Sequence, residues 1–145
     1  MVHRIVECNV ARPAVDGHYR FIGTYLPIRR RRDLWAFLRL SGAVGEQLRA
    51  NDAVVRYGVG TRFWSLEFWT VSVWADRSAV GRFVRTEPHA TAVRRMANWG
   101  REGAAFVEWD SVSSTVNWPE VLKRLQQPTR YYRAPLQSSA PPGPS

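Results

Sequence analysis

The sequence predicts one α+β domain with the ferredoxin-like element order βαββαβ and an antiparallel sheet. Two patterns carry the prediction: a stripe of apolar and small residues at helical spacing after residue 33, and an aromatic segment at strand spacing over residues 63–74. The length adds to it, because 145 residues suffice for one domain with a core that needs no disulfide or metal.

The first half of the domain is predicted to be strand, helix, strand, strand. Residues 1–18 form an N-terminal extension or an edge strand, and residues 19–26 a strand that ends at Pro27. A helix starts near Asp33, and its inner face carries Leu34, Phe37, Leu38, Ser41, Gly45 and Leu48. Residues 54–61 and the aromatic segment 63–74 are the next two strands.

The second half is predicted to be helix, strand and a short C-terminal helix. Asp76 is a suitable N-cap, and Pro88 lies in the first turn of a second helical segment. Residues 104–110 form the last strand of the domain, and a helix follows from Pro119. The domain thus spans residues 19–126. Residues 127–145 contain five prolines and few residues able to bury, so they are predicted to be a disordered tail.

The aromatic segment predicts a small-molecule pocket. Strand alternation places Trp64, Leu66, Phe68, Thr70, Ser72 and Trp74 on one face and Phe63, Ser65, Glu67, Trp69, Val71 and Val73 on the other. Tryptophan mixed with Thr and Ser is typical of a pocket wall, although which face lines the pocket stays open. Glu67 is either at the sheet rim in solvent or a buried acid, and we expect the rim position.

The predicted helices cover one face of the sheet, which leaves an aromatic face without a cover. Because such a face is unstable in water, we expect a second copy of the chain to pack on it and form a homodimer.

The composition argues against a nucleic-acid or membrane partner. The net charge is +9, but Lys123 is the single lysine among 21 basic residues, and the arginines are scattered apart from residues 29–32. No nucleic-acid recognition motif accompanies them. The sequence has no apolar run of about 20 residues and no signal-peptide core near Met1. With one cysteine, Cys8, a cytoplasmic location is predicted.

The segment Phe-Trp-Ser-Leu-Glu-Phe-Trp-Thr-Val-Ser-Val-Trp-Ala-Asp, followed by an alanine-bearing helix, Pro88-His89 and Met96, resembles the dimeric α/β-barrel superfamily. The nearest branches are the antibiotic-biosynthesis-monooxygenase-like and spheroidene-monooxygenase-like proteins, and the resemblance covers residues 19–125. It implies a dimeric α/β barrel. The superfamily includes cofactor-free oxygenases, heme-degrading enzymes and lactone-forming isomerases.

The resemblance also implies site residues. A Trp on the third strand and a His on the following helix lie near the pocket in the oxygenase and heme-degrading branches, and Trp74 and His89 match them. An Asn from the first strand usually completes the heme-degrading site. Residues 19–26 supply no Asn, and Asn9 qualifies only if residues 5–10 are the first strand. This argues against heme degradation, although heme stays a possible cofactor.

His89 can be weighed from its own surroundings. It shares a helical face with Val93, Met96 and Ala97, and a helix N-terminus disfavours the imidazolium form. A neutral inward imidazole can accept a proton from a phenol or ligate iron. The alternative is a core histidine bonded to a backbone carbonyl.

These observations predict a monooxygenase-like or isomerase-like enzyme that needs no cofactor and acts on an aromatic or polyketide-like metabolite. His89 would be its catalytic residue, and the residues expected to bind substrate are Trp64, Phe68, Thr70, Ser72, Trp74 and Met96. Two alternatives remain. One is a non-catalytic protein that binds a hydrophobic metabolite, or a partner through Tyr131-Tyr132. The other is a heme protein that uses His89.

Overall fold

A computed structural model describes residues 3–135 of the chain. The strands are β1 His3–Cys8, β2 Tyr19–Pro27, β3 Val54–Arg62, β4 Glu67–Trp74, β5 Ala105–Ser111 and β6 Arg130–Tyr131. The α-helices are α1 Leu34–Arg49, α2 Arg77–Arg85, α3 His89–Trp99 and α4 Trp118–Arg124. Among these helices, none has the length and apolar character needed to cross a membrane.

All strands belong to one antiparallel sheet in the order β1-β3-β4-β2-β5-β6. Its four inner strands, joined through α1 between β2 and β3 and through α2 and α3 between β4 and β5, have the ferredoxin-like βαββαβ arrangement. The predicted fold class is confirmed. β1 precedes these elements in the chain and pairs with β3 at one edge of the sheet.

The aromatic segment is not one continuous strand, and here the prediction was wrong. Residues 63–65 form a 3₁₀ turn, and Leu66 adopts the left-handed conformation with φ 56° before β4 begins at Glu67. The turn is required because Arg62 and Glu67 face each other across the β3–β4 hairpin. Leu66 tolerates this backbone because its side chain is buried and its carbonyl accepts a hydrogen bond from Ile28 N at 2.8 Å.

The first three helices cover one face of the sheet, called here the α1–α3 face. One apolar cluster joins Phe68 of β4 to Phe37 of α1 and Met96 of α3. A second cluster joins Trp74, at the other end of β4, to Ala79 and Phe83 of α2. The segment β4 therefore holds both clusters through the same alternating set of side chains.

The opposite face, called here the α4 face, is covered in part by α4. Val121 packs on a cluster that includes Phe21, Val71 and Trp109, with Trp118 beside it. The packing is close: a Cβ on Gly58 would lie 3.0 Å from the Trp118 ring. The prediction that helices cover one face alone was wrong, because a short amphipathic helix can fold back onto either face.

The first residues of the predicted tail contact the domain. Arg130 and Tyr131 pair with β5 as strand β6, and Tyr132 N donates to Ala104 O at 2.7 Å. The Tyr132 ring lies 5.6 Å from the ring of Phe106, and burial raises the pKa of its phenol to about 12. The remainder of the predicted tail, residues 136–145, lies outside the described residues.

Candidate functional site

Trp74 and His89, the pair predicted from the resemblance, meet through a third aromatic ring. Phe83 of α2 lies 5.1 Å from the Trp74 ring in an edge-on arrangement and 4.8 Å from the His89 imidazole. Trp74 is 1% exposed, and its Nε1 donates to Ser72 Oγ at 2.8 Å. The indole is therefore a satisfied part of the core, and Phe83 separates it from the imidazole.

Burial favours the neutral form of His89. It is the first residue of α3, directly after Pro88. Desolvation by burial lowers the pKa of His89 below 6.5, and this outweighs a hydrogen bond to the carbonyl of Val84. Its Nδ1 is buried and has no hydrogen-bond partner. A neutral imidazole has a lone pair on one of its two ring nitrogens, and in the tautomer that places it on the unpartnered Nδ1 this atom can accept a proton.

Gln47 of α1 fixes the position of His89. Its Oε1 accepts a hydrogen bond from the backbone N of His89 at 3.1 Å. Its Nε2 lies 3.4 Å from the carbonyls of Phe83 and Thr86, to which it donates. The side chain thus ties α1 to the end of α2 and the start of α3. Sequence reasoning missed Gln47, because a polar residue in a helix gives no pattern that separates this role from a solvent-facing one.

A surface groove of about 650 Å³ adjoins this cluster. Its lining includes Gln47, Phe83 and Thr86, together with Arg12, Ala50, Asn51, Asp52, Ala53, Asp76, Ala79 and Arg82. Phe83 therefore belongs both to the wall of the groove and to the surroundings of His89. The volume falls within the range of about 300–1,000 Å³ that is usual for ligand sites.

Thr70 and Ser72, two of the residues predicted to bind substrate, lie on the α1–α3 face with Trp74. Thr70 and Thr24 are opposite each other on β4 and β2, and their hydroxyls are hydrogen-bonded to each other. Ser72 accepts the indole hydrogen bond. All three hydroxyl residues are half-buried, and they lie between the two apolar clusters. The sheet face thus carries a polar strip there.

The remaining residues predicted to bind substrate lie elsewhere. Phe68 and Met96 are buried together in the cluster around Phe37, at the other end of β4 from Trp74. Trp64 lies on the 3₁₀ turn and is 60% exposed, with the Arg62 guanidinium 5.8 Å from its ring. The structure therefore brings together His89, Phe83 and Trp74, and it does not bring Trp64, Phe68 or Met96 to them.

Asn9 follows β1, and its side chain is hydrogen-bonded near the end of α1. Its Nδ2 donates to the carbonyls of Leu48, Asn51 and Val54 at 3.3, 3.2 and 3.0 Å. These bonds join the end of β1 to the last turn of α1, to the loop after it and to the start of β3. Asn9 is thus a structural residue in this fold.

Glu67 is mostly buried on the α4 face, and the prediction of a solvent-exposed rim position was wrong. Its side chain is 13% exposed and accepts hydrogen bonds from Tyr25, Ser65 and Arg62 at 2.5, 2.6 and 3.2 Å. Desolvation raises the pKa of Glu67, but these hydrogen bonds and the charges of Arg62 and Arg101 outweigh it, so the pKa lies below its usual value. The carboxylate is therefore ionised and neutralised locally. Desolvation first, and then Glu67, raise the pKa of Tyr25 to about 12.

Within residues 3–135, no group of three or more His, Cys, Asp or Glu side chains is placed to hold a metal ion.

Comparison with known proteins gives structural matches alone. No family model matches the chain, and no curated protein matches it. A crystal structure of an antibiotic biosynthesis monooxygenase matches with a TM-score of 0.55 at 20% identity, over 66% of this chain and 99% of that chain. The structure of Rv0793 from Mycobacterium tuberculosis matches with a TM-score of 0.54 at 16% identity, over 68% and 99%.

A third match is a heme-degrading enzyme from Listeria monocytogenes, with a TM-score of 0.52 at 7% identity, over 72% of this chain and 65% of that chain. At such identities the likeness establishes the fold. The chain has the α+β ferredoxin-like fold of the antibiotic-biosynthesis-monooxygenase-like proteins, as the aromatic segment and its following helix predict.

Proposed function

We propose that the chain is a monooxygenase-like or isomerase-like enzyme that acts on an aromatic or polyketide-like metabolite without a cofactor. The observation that carries the proposal is the unpartnered Nδ1 of His89, next to a groove of ligand size. The fold shared with the antibiotic biosynthesis monooxygenase supports the reaction class.

His89 would act as the general base. A phenolic hydroxyl gives its proton to Nδ1, and the phenolate that results is electron-rich enough to pass an electron to O₂. In an oxygenation at an activated CH₂ carbon, one O₂ converts CH₂ to C=O and releases one water. Lowering the pKa of His89 favours this role, because the imidazole is then unprotonated at neutral pH.

The groove would hold the substrate, with Phe83 between it and the base. Arg12 and Arg82 line the groove and can bind hydroxyl, carbonyl or carboxylate oxygens of a polyketide-like molecule. The aromatic part would lie against Phe83. Because Phe83 also contacts His89, a turn of this ring about its side-chain bonds would open the way from substrate to Nδ1.

The test is O₂ consumption with a panel of hydroxynaphthalenes and hydroxyanthracenes. His89→Gln is the informative variant, because glutamine keeps a polar side chain that can donate a hydrogen bond but offers no base. The matched control is His18→Gln, which changes an exposed histidine. We expect turnover to fall by about 10²–10⁴-fold in His89→Gln and to stay unchanged in His18→Gln. Equal turnover in both variants would remove His89 from the mechanism.

Heme is the second candidate, favoured by the free nitrogen of His89 and by the fold shared with the Listeria enzyme. Heme fits the site less readily than a phenol. Nδ1 has no solvent-accessible surface and Phe83 lies against the imidazole, so either group would reach Nδ1 only after this ring turned aside, and an iron atom brings the whole porphyrin with it. Titration with hemin separates the candidates: a Soret shift that His89→Gln abolishes would favour heme.

We also propose a homodimer located in the cytoplasm. Ile5 and Val6 of the edge strand are 55% and 41% exposed, which gives a second copy an apolar edge to cover. The single cysteine, Cys8, is exposed and unpaired, as suits a reducing compartment. Light scattering after size exclusion tests the dimer, and Val6→Glu should shift it toward the monomer. A wild-type mass of one chain would contradict the dimer.

A further inference from the structure

One end of the domain brings together three segments that are far apart in the sequence. Arg29 N donates to Trp99 O at 2.9 Å, so the link between β2 and α1 lies beside the end of α3. The turn between β3 and β4 joins them, because Ile28 N donates to Leu66 O at 2.8 Å. The end of the domain formed in this way, called here the arginine end, consists of residues 28–35, 62–67 and 95–102.

The arginine end carries an excess of positive charge. Its segments contain seven arginines and three carboxylates, a net charge of +4: residues 29–32, Arg62, Arg95 and Arg101 against Asp33, Glu67 and Glu102. Glu67 is paired with Arg62 at 3.2 Å, and Glu102 with Arg133 at 3.6 Å. Residues 29–32 and Arg95 have no carboxylate within salt-bridge distance in the described part of the chain. Most of the arginine charge here is therefore available to an anionic partner.

The same end exposes aromatic side chains. Trp35 is 74% exposed, Trp64 60% and Phe63 52%, and every other Phe and Trp within residues 3–135 is buried or half-buried. Trp35 lies away from the core, since Leu34 and Leu38 on the same helix supply the contacts to the cluster around Phe37. Exposed rings concentrated at one charged end of a domain indicate a contact surface.

An anionic membrane surface matches both features of the arginine end. Lipid phosphates bind the guanidinium groups, and the headgroup region favours tryptophan. A single-stranded nucleic acid would match the arginines, but the Arg62 guanidinium lies 5.8 Å from the Trp64 ring and covers a face on which a base would stack. An acidic protein segment would neutralise the arginines and leave the aromatic rings without an apolar cover.

We propose that the arginine end binds the surface of a membrane that contains anionic phospholipid. The arginines lie at the lipid phosphates, and Trp35, Phe63 and Trp64 lie in the headgroup region, so the chain rests on the membrane and does not span it. Composition argued against a membrane partner because the arginines outside residues 29–32 are scattered along the sequence. The fold places Arg62, Arg95 and Arg101 at the same end as that run.

The experiment is co-sedimentation of the full chain with vesicles of phosphatidylcholine, with or without phosphatidylglycerol. We expect binding to the vesicles that contain phosphatidylglycerol, a decrease as sodium chloride is added, and no binding to phosphatidylcholine alone. One arginine near such a surface strengthens binding about fivefold, so Arg31→Gln with Arg32→Gln should weaken it about 25-fold. The matched control is Arg85→Gln with Lys123→Gln, which removes the same charge from exposed positions on α2 and α4 and should weaken binding less than about threefold.

The aromatic side chains are tested without a change of charge. Trp35→Ala with Trp64→Ala should weaken vesicle binding and reduce the blue shift of tryptophan emission that binding causes, with an unchanged circular dichroism spectrum. Absence of binding to phosphatidylglycerol, an equal loss in the two charge pairs, or full binding by the aromatic variant overturns the proposal.

Other occupants of the arginine end would give different results. Binding of an oligo-dT strand or of polyglutamate that depends on Arg31 and Arg32, with no binding to vesicles, would identify a nucleic acid or an acidic protein as the partner. A wild-type dimer in light scattering that Trp35→Ala with Trp64→Ala converts to the monomer would show that a second copy covers this end. Each of these results overturns the membrane proposal.

Discussion

Phe83→Ala is the perturbation that tests how the candidate site is built. Phe83 is 7% exposed and contacts both Trp74 and His89, with ring separations of 5.1 and 4.8 Å. The substitution removes the ring that separates the groove from the imidazole. It therefore has two measurable consequences, one for the stability of the domain and one for His89.

The stability loss follows from the position of Phe83. A buried Phe→Ala change costs about 3–5 kcal/mol, and the cost depends on the cavity that is left. Phe83 borders the groove of about 650 Å³, so water can enter the space and no sealed void remains. We therefore expect the low end, a loss of about 3 kcal/mol in the free energy of unfolding. For a chain of this size that lowers Tm by about 10 °C.

The second consequence concerns protonation. Burial lowers the pKa of His89, so admitting water beside the imidazole should raise that pKa toward 6.5. Urea unfolding followed by circular dichroism measures the stability, and an NMR titration of the histidine rings measures the pKa. Trp35→Ala, at a side chain that is 74% exposed, is the control and should change stability by less than about 0.5 kcal/mol. A loss below about 1 kcal/mol with an unchanged His89 pKa would refute the packing described for Phe83.

Three further predictions concern the frame of the domain. Asn9→Ala should destabilise the domain by about 1–2 kcal/mol in urea unfolding, because the three amide hydrogen bonds to the Leu48, Asn51 and Val54 carbonyls are lost, and a loss near zero would show that water replaces the amide. Gly58→Ala should lower the free energy of unfolding by about 1–3 kcal/mol, because its Cβ would lie 2.8 Å from Ile5 O. Gly60→Ala should cost less, because the nearest atom to its Cβ would be 3.5 Å away. The free energy of unfolding of the wild type should fall as the pH drops below about 6.5, because His89 binds a proton more readily in the unfolded chain than in the folded one. His89→Gln should make the free energy of unfolding less dependent on pH in this range.

The regular elements were predictable because their signals are local. The α2 cap is an example: Asp76 Oδ1 accepts from Ser78 N at 2.9 Å, as its position before an apolar-periodic run predicts. The strand and helix order required nothing beyond such patterns and the turn residues between them.

The 3₁₀ turn at residues 63–65 was predicted as strand for a physical reason. Residues 63–66 contain no Gly, Pro, Asn or Asp, and their aromatic side chains continue the alternation of the strand that follows. The hairpin nevertheless has to reverse there, and it does so with Leu66 in a conformation that sequence patterns assign to glycine or asparagine.

The candidate site was half predictable. The pairing of Trp74 with His89 came from a resemblance in the sequence, and the position of Phe83 between them depends on how α2 and α3 cross. The face of the sheet on which α4 packs is likewise decided by tertiary contacts. No local pattern encodes it, because the sheet offers apolar side chains on both faces.

The central claim is that His89 is a neutral base whose Nδ1 can take a proton from a phenol. A long-range ¹H–¹⁵N spectrum of the histidine-labelled protein at neutral pH, recorded while 2-naphthol is added, tests it directly. The account predicts that Nδ1 of His89 is unprotonated at the start, and that its ¹⁵N signal shifts as naphthol binds because Nδ1 then accepts a hydrogen bond, with His18 unchanged. An Nδ1 that already carries a proton, or one that no hydroxynaphthalene or hydroxyanthracene shifts, would contradict it.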